Sequence, residues 1–187
     1  MMKVITTSLI PWIILFSIFM VLIGYGITIL PAMQRRFFLL PKIIQKTYVI
    51  LFMAPVIILP LIPQTRYSDY KSAGVVAGIF ISTAAISIWG LSLFQMKGVP
   101  SVRKAAGLVT NGIYSQVRNP IYTANFIILP GLGLMTSSVV ALMYTPVWFV
   151  LLAVLCVLEE SGLKRQYGCE YHEYMKKVPY RLIRFVF

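Results

Sequence analysis

Long apolar runs separated by short polar stretches organise this chain. They fall at about 9–30, 47–63, 73–95, 120–136 and 139–158, close to the roughly 17–25 residues a helix needs to cross a bilayer. The pattern predicts an all-α, polytopic membrane protein with about five transmembrane helices. The first run is too long for a signal-peptide core and no small-residue cleavage site follows it, so it is expected to be a retained helix. The fourth and fifth runs form one nearly uncharged block. As a single helix it would be about 57 Å long against a hydrocarbon core of about 30 Å, so the chain must turn back. Thr136-Ser137-Ser138 is the polar cluster available for the turn. The last two helices are therefore expected to form a tight hairpin whose two ends return to one membrane face.

Loop charges give an independent orientation. Of the 17 basic residues, all but Lys3, Arg66 and Lys71 follow the first, third or fifth run. The positive-inside rule then places the N-terminus outside and the C-terminus in the cytosol, with a short cytosolic helix after the last span. Composition agrees: 59% of the 187 residues are hydrophobic, 12% are charged and mean hydropathy is +0.83. That leaves room for a single membrane domain over 1–187 and for no sizeable soluble core. The net charge of +12 follows from topology, with some attraction to anionic membrane lipids, and calls for no nucleic acid.

Within the runs most features read as packing. Gly74, Gly78 and Ser82 make a small-residue stripe on one side of the third helix. Pro31 is expected to end the first helix, and Pro55, Pro60 and Pro63 to distort or end the second. Pro130-Gly131-Leu132-Gly133 has no strand before it and no βαβ context, so it is not a nucleotide loop. His172 has no companions at ligand spacing, so no metal site is expected, and Cys156 and Cys169 are expected to be unpaired thiols.

Chemistry concentrates around the hairpin. Arg118-Asn119-Pro120-Ile121-Tyr122 stands at its entrance, and Glu159-Glu160, two of only five acids, at its exit. Asn119-Pro120 is a helix start, with Asn as N-cap and Pro at the first helical position. The same start offers a positive dipole end, with Arg118 beside it, to a carboxylate or phosphate. The preceding loop runs from Lys97-Gly98-Val99-Pro100 through Gly107 to Tyr114, and its irregular backbone leaves amide groups for a ligand. Glu160 and Lys164 could form an exposed pair four residues apart. Two adjacent carboxylates near such a loop and the rings of Tyr114 and Tyr122 instead fit a ligand with hydroxyl or ammonium groups, a positive charge and a flat ring. S-adenosylmethionine meets that description.

From Lys97 onwards the chain resembles the integral membrane methyltransferases, the superfamily of isoprenylcysteine carboxyl methyltransferases and phospholipid N-methyltransferases. The resemblance runs through Leu108-Val109-Thr110-Asn111-Gly112-Ile113-Tyr114, Arg118 to Tyr122, Glu159-Glu160, and Tyr167 to Tyr174 followed by Val178-Pro179. It implies methyl transfer from S-adenosylmethionine to a membrane-embedded or lipid-like acceptor. Gly107, Leu108, Val109 and Tyr114 would contact the cofactor, Asn119, Pro120 and Tyr122 would line it, and Glu159 and Glu160 would anchor it. Arg118 and Glu160 are the residues expected to act on the acceptor. Residues 1–72 carry no such signature and are expected to be scaffold.

Two departures narrow the acceptor. Asn119 stands where the prenylcysteine enzymes have histidine, and Leu155 where they place an arginine one turn before the acids. Both weaken carboxyl methylation of a prenylated cysteine while leaving methyl transfer intact. The competing expectations are a sterol-type reductase of related architecture using NADPH and a non-catalytic membrane subunit.

Overall fold

A computed structural model describes residues 2–62, 71–96 and 107–186 of the chain. Pro63, Arg66, Lys97-Gly98-Val99-Pro100, Arg103 and Lys104 lie outside the described residues. The elements are helical throughout: α1 Met2–Ile29, α2 Pro31–Leu39, α3 Lys42–Leu61, α4 Lys71–Met96, a 3-10 turn Gly112–Ser115, α5 Pro120–Met135, α6 Val139–Tyr167 and α7 Cys169–Lys177. Ser72–Met96 and Val139–Tyr167 are long and apolar enough to cross a membrane, and Pro11–Ile27, Ile50–Leu61 and Pro120–Met135 are shorter apolar helices. Each expected run thus lies in a helix, and α7 occupies the place of the short C-terminal one.

Two boundaries differ from expectation. The helix of the second run continues through Pro55 and Pro60 to Leu61, because neighbouring helices in a bundle can accommodate the freed carbonyl groups. Pro31 stands just past the end of α1, as expected, and also opens α2 at its first turn, where a missing N–H costs nothing. The last helix runs nine residues beyond 158, to Tyr167. The helix carries Gly162 in its interior and stops only at Gly168, whose φ of 51° ends it. The glutamates consequently sit inside a continuous helix, two turns before its end.

The hairpin turn lies where the polar cluster placed it. Ser137 and Ser138 donate their amides to the carbonyls of Leu134 and Gly133 at 3.2 and 2.8 Å. Ser137 takes the left-handed conformation between them, at φ 54°, completing a Schellman cap. Ser138 Oγ then accepts from the Ala141 amide at 3.1 Å, which makes it the N-cap of α6. One residue closes one helix and opens the next.

Small residues set the helix spacing. A methyl group on Gly78 of α4 would come within 2.5 Å of the Met135 amide nitrogen, and one on Gly131 of α5 within 2.6 Å of Ser82 Oγ. The stripe on α4 therefore meets Gly131, while Gly133 faces Leu142 and Ala141 of α6. Trp148 anchors the middle of the bundle, fully buried, stacked on Tyr144 and tilted against Phe52 of α3, with its indole N–H on the Asn125 carbonyl at 3.0 Å. Tyr144 in turn donates to Ser17 Oγ of α1 at 2.6 Å. The buried Tyr144–Ser17 bond ties α1 to the hairpin, since polar groups in an apolar interior need partners, and the Phe52 ring ties α3.

Candidate functional site

The hairpin brings Arg118 to Glu160 across 42 residues of chain. Arg118 Nε and Nη2 both meet Glu160 Oε1 at 2.8 Å, and Nη1 donates to the Val178 carbonyl at 2.6 Å. The second carboxylate oxygen, Oε2, accepts from Arg181 Nε at 3.1 Å. Glu160 is 1% exposed and Arg118 7%, so this pair is withdrawn from water, while Arg181 closes it from a partly exposed side. A buried carboxylate is tolerable only with such partners. Glu160 faces inward and does not form the exposed pair with Lys164.

The segment after α7 completes this cluster. The amides of Arg118 and Asn119 donate to the carbonyls of Tyr180 and Arg181, both at 2.9 Å, and Thr123 Oγ1 donates to the Leu182 carbonyl at 2.6 Å. Leu182, fully buried, joins the same apolar cluster as Trp148 and Leu129. The tail is thus a strap across the entrance of α5. The helix leading into the strap is held by Tyr174 of α7, whose hydroxyl donates to the Tyr114 carbonyl at 2.7 Å. Burial pushes the Tyr174 phenol well above its ordinary range, opposed by Arg118 and helped by Glu160, so it remains a hydrogen-bond donor.

Glu159 turns to the other side of α6. It is only partly buried and hydrogen-bonds the hydroxyl of Tyr122 on α5. No cation among the described residues pairs with it. Tyr48 of α3, which donates to the Met20 carbonyl of α1 at 3.0 Å, lies within electrostatic reach of the same carboxylate. A residue from the half expected to be scaffold therefore approaches the acidic pair.

The remaining expected residues spread over the loop. Leu108 packs on Tyr171, Tyr174 and Val178, Tyr114 is buried, Val109 is half-buried and Gly107 is exposed. Gln95, near the end of α4, accepts from the Ile113 amide at 3.0 Å and fixes the 3-10 turn. Pro120 is buried at the first position of α5. Asn119 holds the N-cap position, yet its side chain makes no capping bond, and its buried Nδ2 has no partner. The backbone bond to Arg181 fixes Asn119 in place of the cap. The hydroxyl of Tyr171, a residue 1% exposed, is likewise unpartnered.

Sequence reasoning did not foresee Arg181, the Val178 carbonyl, Tyr171, Tyr174 or Leu182. Only the tyrosines and Val178 carried a signal, as part of the tail that resembles the methyltransferases. Among the described residues no three His, Cys, Asp or Glu side chains come together as a metal would require, and Cys156 and Cys169 are free.

The chain belongs to the phospholipid methyltransferase family, whose sequence model matches residues 72–170, just over half its length. This places it among the integral membrane methyltransferases. The nickel-cobalt-cadmium resistance protein NccN of Alcaligenes xylosoxydans xylosoxydans is 34% identical over 79 residues. That alignment covers 42% of this chain and 37% of the relative's length. No solved structure matches the chain.

Proposed function

We propose that this protein is an integral membrane methyltransferase that uses S-adenosylmethionine to methylate a lipid-like acceptor. The observation that carries the reading is the division of labour within the acidic pair, inside the region that matches the family. Glu160 is neutralised by two arginines, while Glu159 stays partly open with one tyrosine as partner. An open carboxylate next to a fixed charge cluster suits a ligand with ammonium or hydroxyl groups. Asn119 supports the fit, because its unpartnered Nδ2 offers a donor that a bound molecule would satisfy.

The cofactor would be held by Gly107, Leu108, Val109 and Tyr114 on the loop, by Asn119, Pro120 and Tyr122 at the start of α5, and by Glu159, with Glu160 shaping the wall behind it. Bound there, S-adenosylmethionine supplies a sulfonium methyl group open to in-line attack, with a thioether leaving group that needs no proton. The protein's task is then to position the acceptor and exclude water. Arg118, whose guanidinium already holds Glu160 and the Val178 carbonyl, acts as a positioning residue behind the site. Both oxygens of Glu160 already accept from guanidinium groups, so Glu160 acts as a positioning residue, and Glu159 is the carboxylate able to take a proton from an amine. The acceptor would enter sideways between helices.

Five spans, an outside N-terminus and a cytosolic site complete the proposal, supported by the helix set and the distribution of basic residues. A reporter fused after Phe187 should be cytosolic; a periplasmic or lumenal signal would overturn this topology. For the activity, detergent-solubilised protein is titrated with S-adenosylhomocysteine and with NADPH. We expect binding of the first only, and its loss in Glu159→Ala. Preference for NADPH would establish the reductase, and binding of neither a non-catalytic subunit. Supplying labelled adenosylmethionine to membranes then identifies the acceptor by the lipid fraction that becomes labelled.

A further inference from the structure

Beyond Leu182 the chain turns outward. Leu182 is fully buried, but Arg184, Phe185 and Val186 are exposed, the two apolar side chains at 73% and 74%. The Val186 amide donates to the Ile183 carbonyl at 3.1 Å, and Phe185 holds a left-handed backbone at φ 68° within that turn, a conformation that a bulky side chain rarely takes. The turn therefore presents an aromatic and a branched apolar residue to the outside against backbone preference, where glycine or a polar residue would serve a loop in water.

The depth of this turn is fixed on both sides. The Leu182 carbonyl accepts from Thr123 Oγ1 in the first turn of α5, and Arg184 Nη1 donates to Oε1 of Gln116, four residues before that helix begins, at 2.7 Å. Three residues of chain span at most about 10 Å, so Phe185 stands beside the boundary at which the apolar run 120–136 starts. The Arg184 guanidinium lies over the Phe185 ring, 4.9 Å from its centroid, and Tyr180 tilts against the same ring with centroids 5.2 Å apart. No acid among the described residues pairs with Arg184. From Met175 to Phe187 the chain carries Lys176, Lys177, Arg181 and Arg184 but no Asp or Glu. Aromatic rings, an exposed apolar side chain and a cation without a carboxylate partner, all at one level, match the boundary between acyl chains and anionic headgroups.

We propose that Arg184, Phe185 and Val186 anchor the tail in the membrane: the two apolar side chains enter the leaflet on the face where α5 begins, and Arg184 meets the phosphate of an anionic phospholipid there. The partner is the bilayer surface itself. Phe185 and Val186 leave water for acyl chains, while the guanidinium offers its remaining N–H groups in a fork that suits phosphate oxygens. The anchor holds from outside the strap that Leu182 holds from inside, and the strap carries Arg181 to Glu160. Lipid charge thereby bears on how firmly the buried cluster is closed.

The test places a nitroxide at residue 186, as Val186→Cys combined with Cys169→Ser, the other cysteine, Cys156, being buried. The full chain is reconstituted in nanodiscs of phosphatidylcholine alone or mixed with phosphatidylglycerol, and collisions of the label with dissolved oxygen are compared with those with a water-soluble nickel chelate. In the phosphatidylglycerol discs we expect the label to meet oxygen in preference to the chelate. Arg184→Gln should raise its exposure to the chelate in these discs about fivefold, the worth of one cation near an anionic surface, and should change little in phosphatidylcholine. Phe185→Ser should expose the label in both. A label that meets the chelate freely in both discs would overturn the anchor, as would one shielded from both reagents, the result of a second copy or another protein covering the patch. Immersion that ignores headgroup charge and survives Arg184→Gln would overturn the role given to the phosphate.

Discussion

Glu159 and Glu160 are neighbours in sequence and opposites in structure. Successive helical residues point about 100° apart, and on α6 that rotation separates two environments. Glu160 faces a closed region built from the start of α5 and the tail, where Arg118 and Arg181 occupy its oxygens. Glu159 faces a more open region shared by α5 and α3, with Tyr122 bonded to it and Tyr48 near. Identical chemistry therefore divides into a group enclosed by two guanidinium groups and a group with a single tyrosine partner, the one the proposed ligand site uses. An acidic pair at a membrane boundary is not one functional unit.

The sharpest way to break this contrast is to remove each carboxylate in turn. Glu160→Ala strands Arg118 as a buried, uncompensated cation and should cost on the order of 3–5 kcal/mol, read as a large drop in melting temperature in detergent. Glu159→Ala should change the fold by about 1 kcal/mol or less, as expected for a partly exposed group with one hydrogen bond. If the two variants melt together, the two faces do not differ in role.

Next in size is Leu182→Ala, which empties a fully buried position under the strap and should cost about 2–4 kcal/mol. It should also weaken S-adenosylhomocysteine binding, because the strap carries the carbonyls that receive the Arg118 and Asn119 amides. Normal affinity in a destabilised Leu182→Ala protein would show that the closed face does not support the open one. A smaller change is expected from Tyr122→Phe, which frees Glu159 from its hydrogen bond. Stability should move by about 1 kcal/mol or less, with the main effect appearing in ligand titration. Smallest is Ser137→Gly at the far tip of the hairpin, where relief of the left-handed backbone should gain at most about 1 kcal/mol. Ligand affinity should not respond, which makes this variant a control for effects transmitted by the fold alone.

Much of this arrangement is legible in the residues. Length limits alone forced the turn at Thr136-Ser137-Ser138, and the turn forced Arg118 and Glu160 together. The Gly74, Gly78 and Ser82 stripe announced a close helix contact, which Gly131 completes. Helix ends were less legible, because proline is a poor stop signal inside a bundle and α6 runs through Gly162 before it stops at Gly168. The closed face was hidden for a different reason. It is held by backbone carbonyls of Val178, Tyr180, Arg181 and Leu182, and every residue type carries a carbonyl. Arg181 itself counted as one more basic residue of a tail whose charges already had an explanation in topology.

The strap also sets an order of events. The hairpin can form without residues 178–182, but the partners of Glu160 and Arg118 are completed only when Arg181 and the Val178 carbonyl dock. Until they arrive, Leu182 is missing from the apolar cluster and two amides at the start of α5 lack their acceptors. A chain interrupted after α7 would keep the hairpin but lack Arg181, the Leu182 anchor and the carbonyls that receive the Arg118 and Asn119 amides.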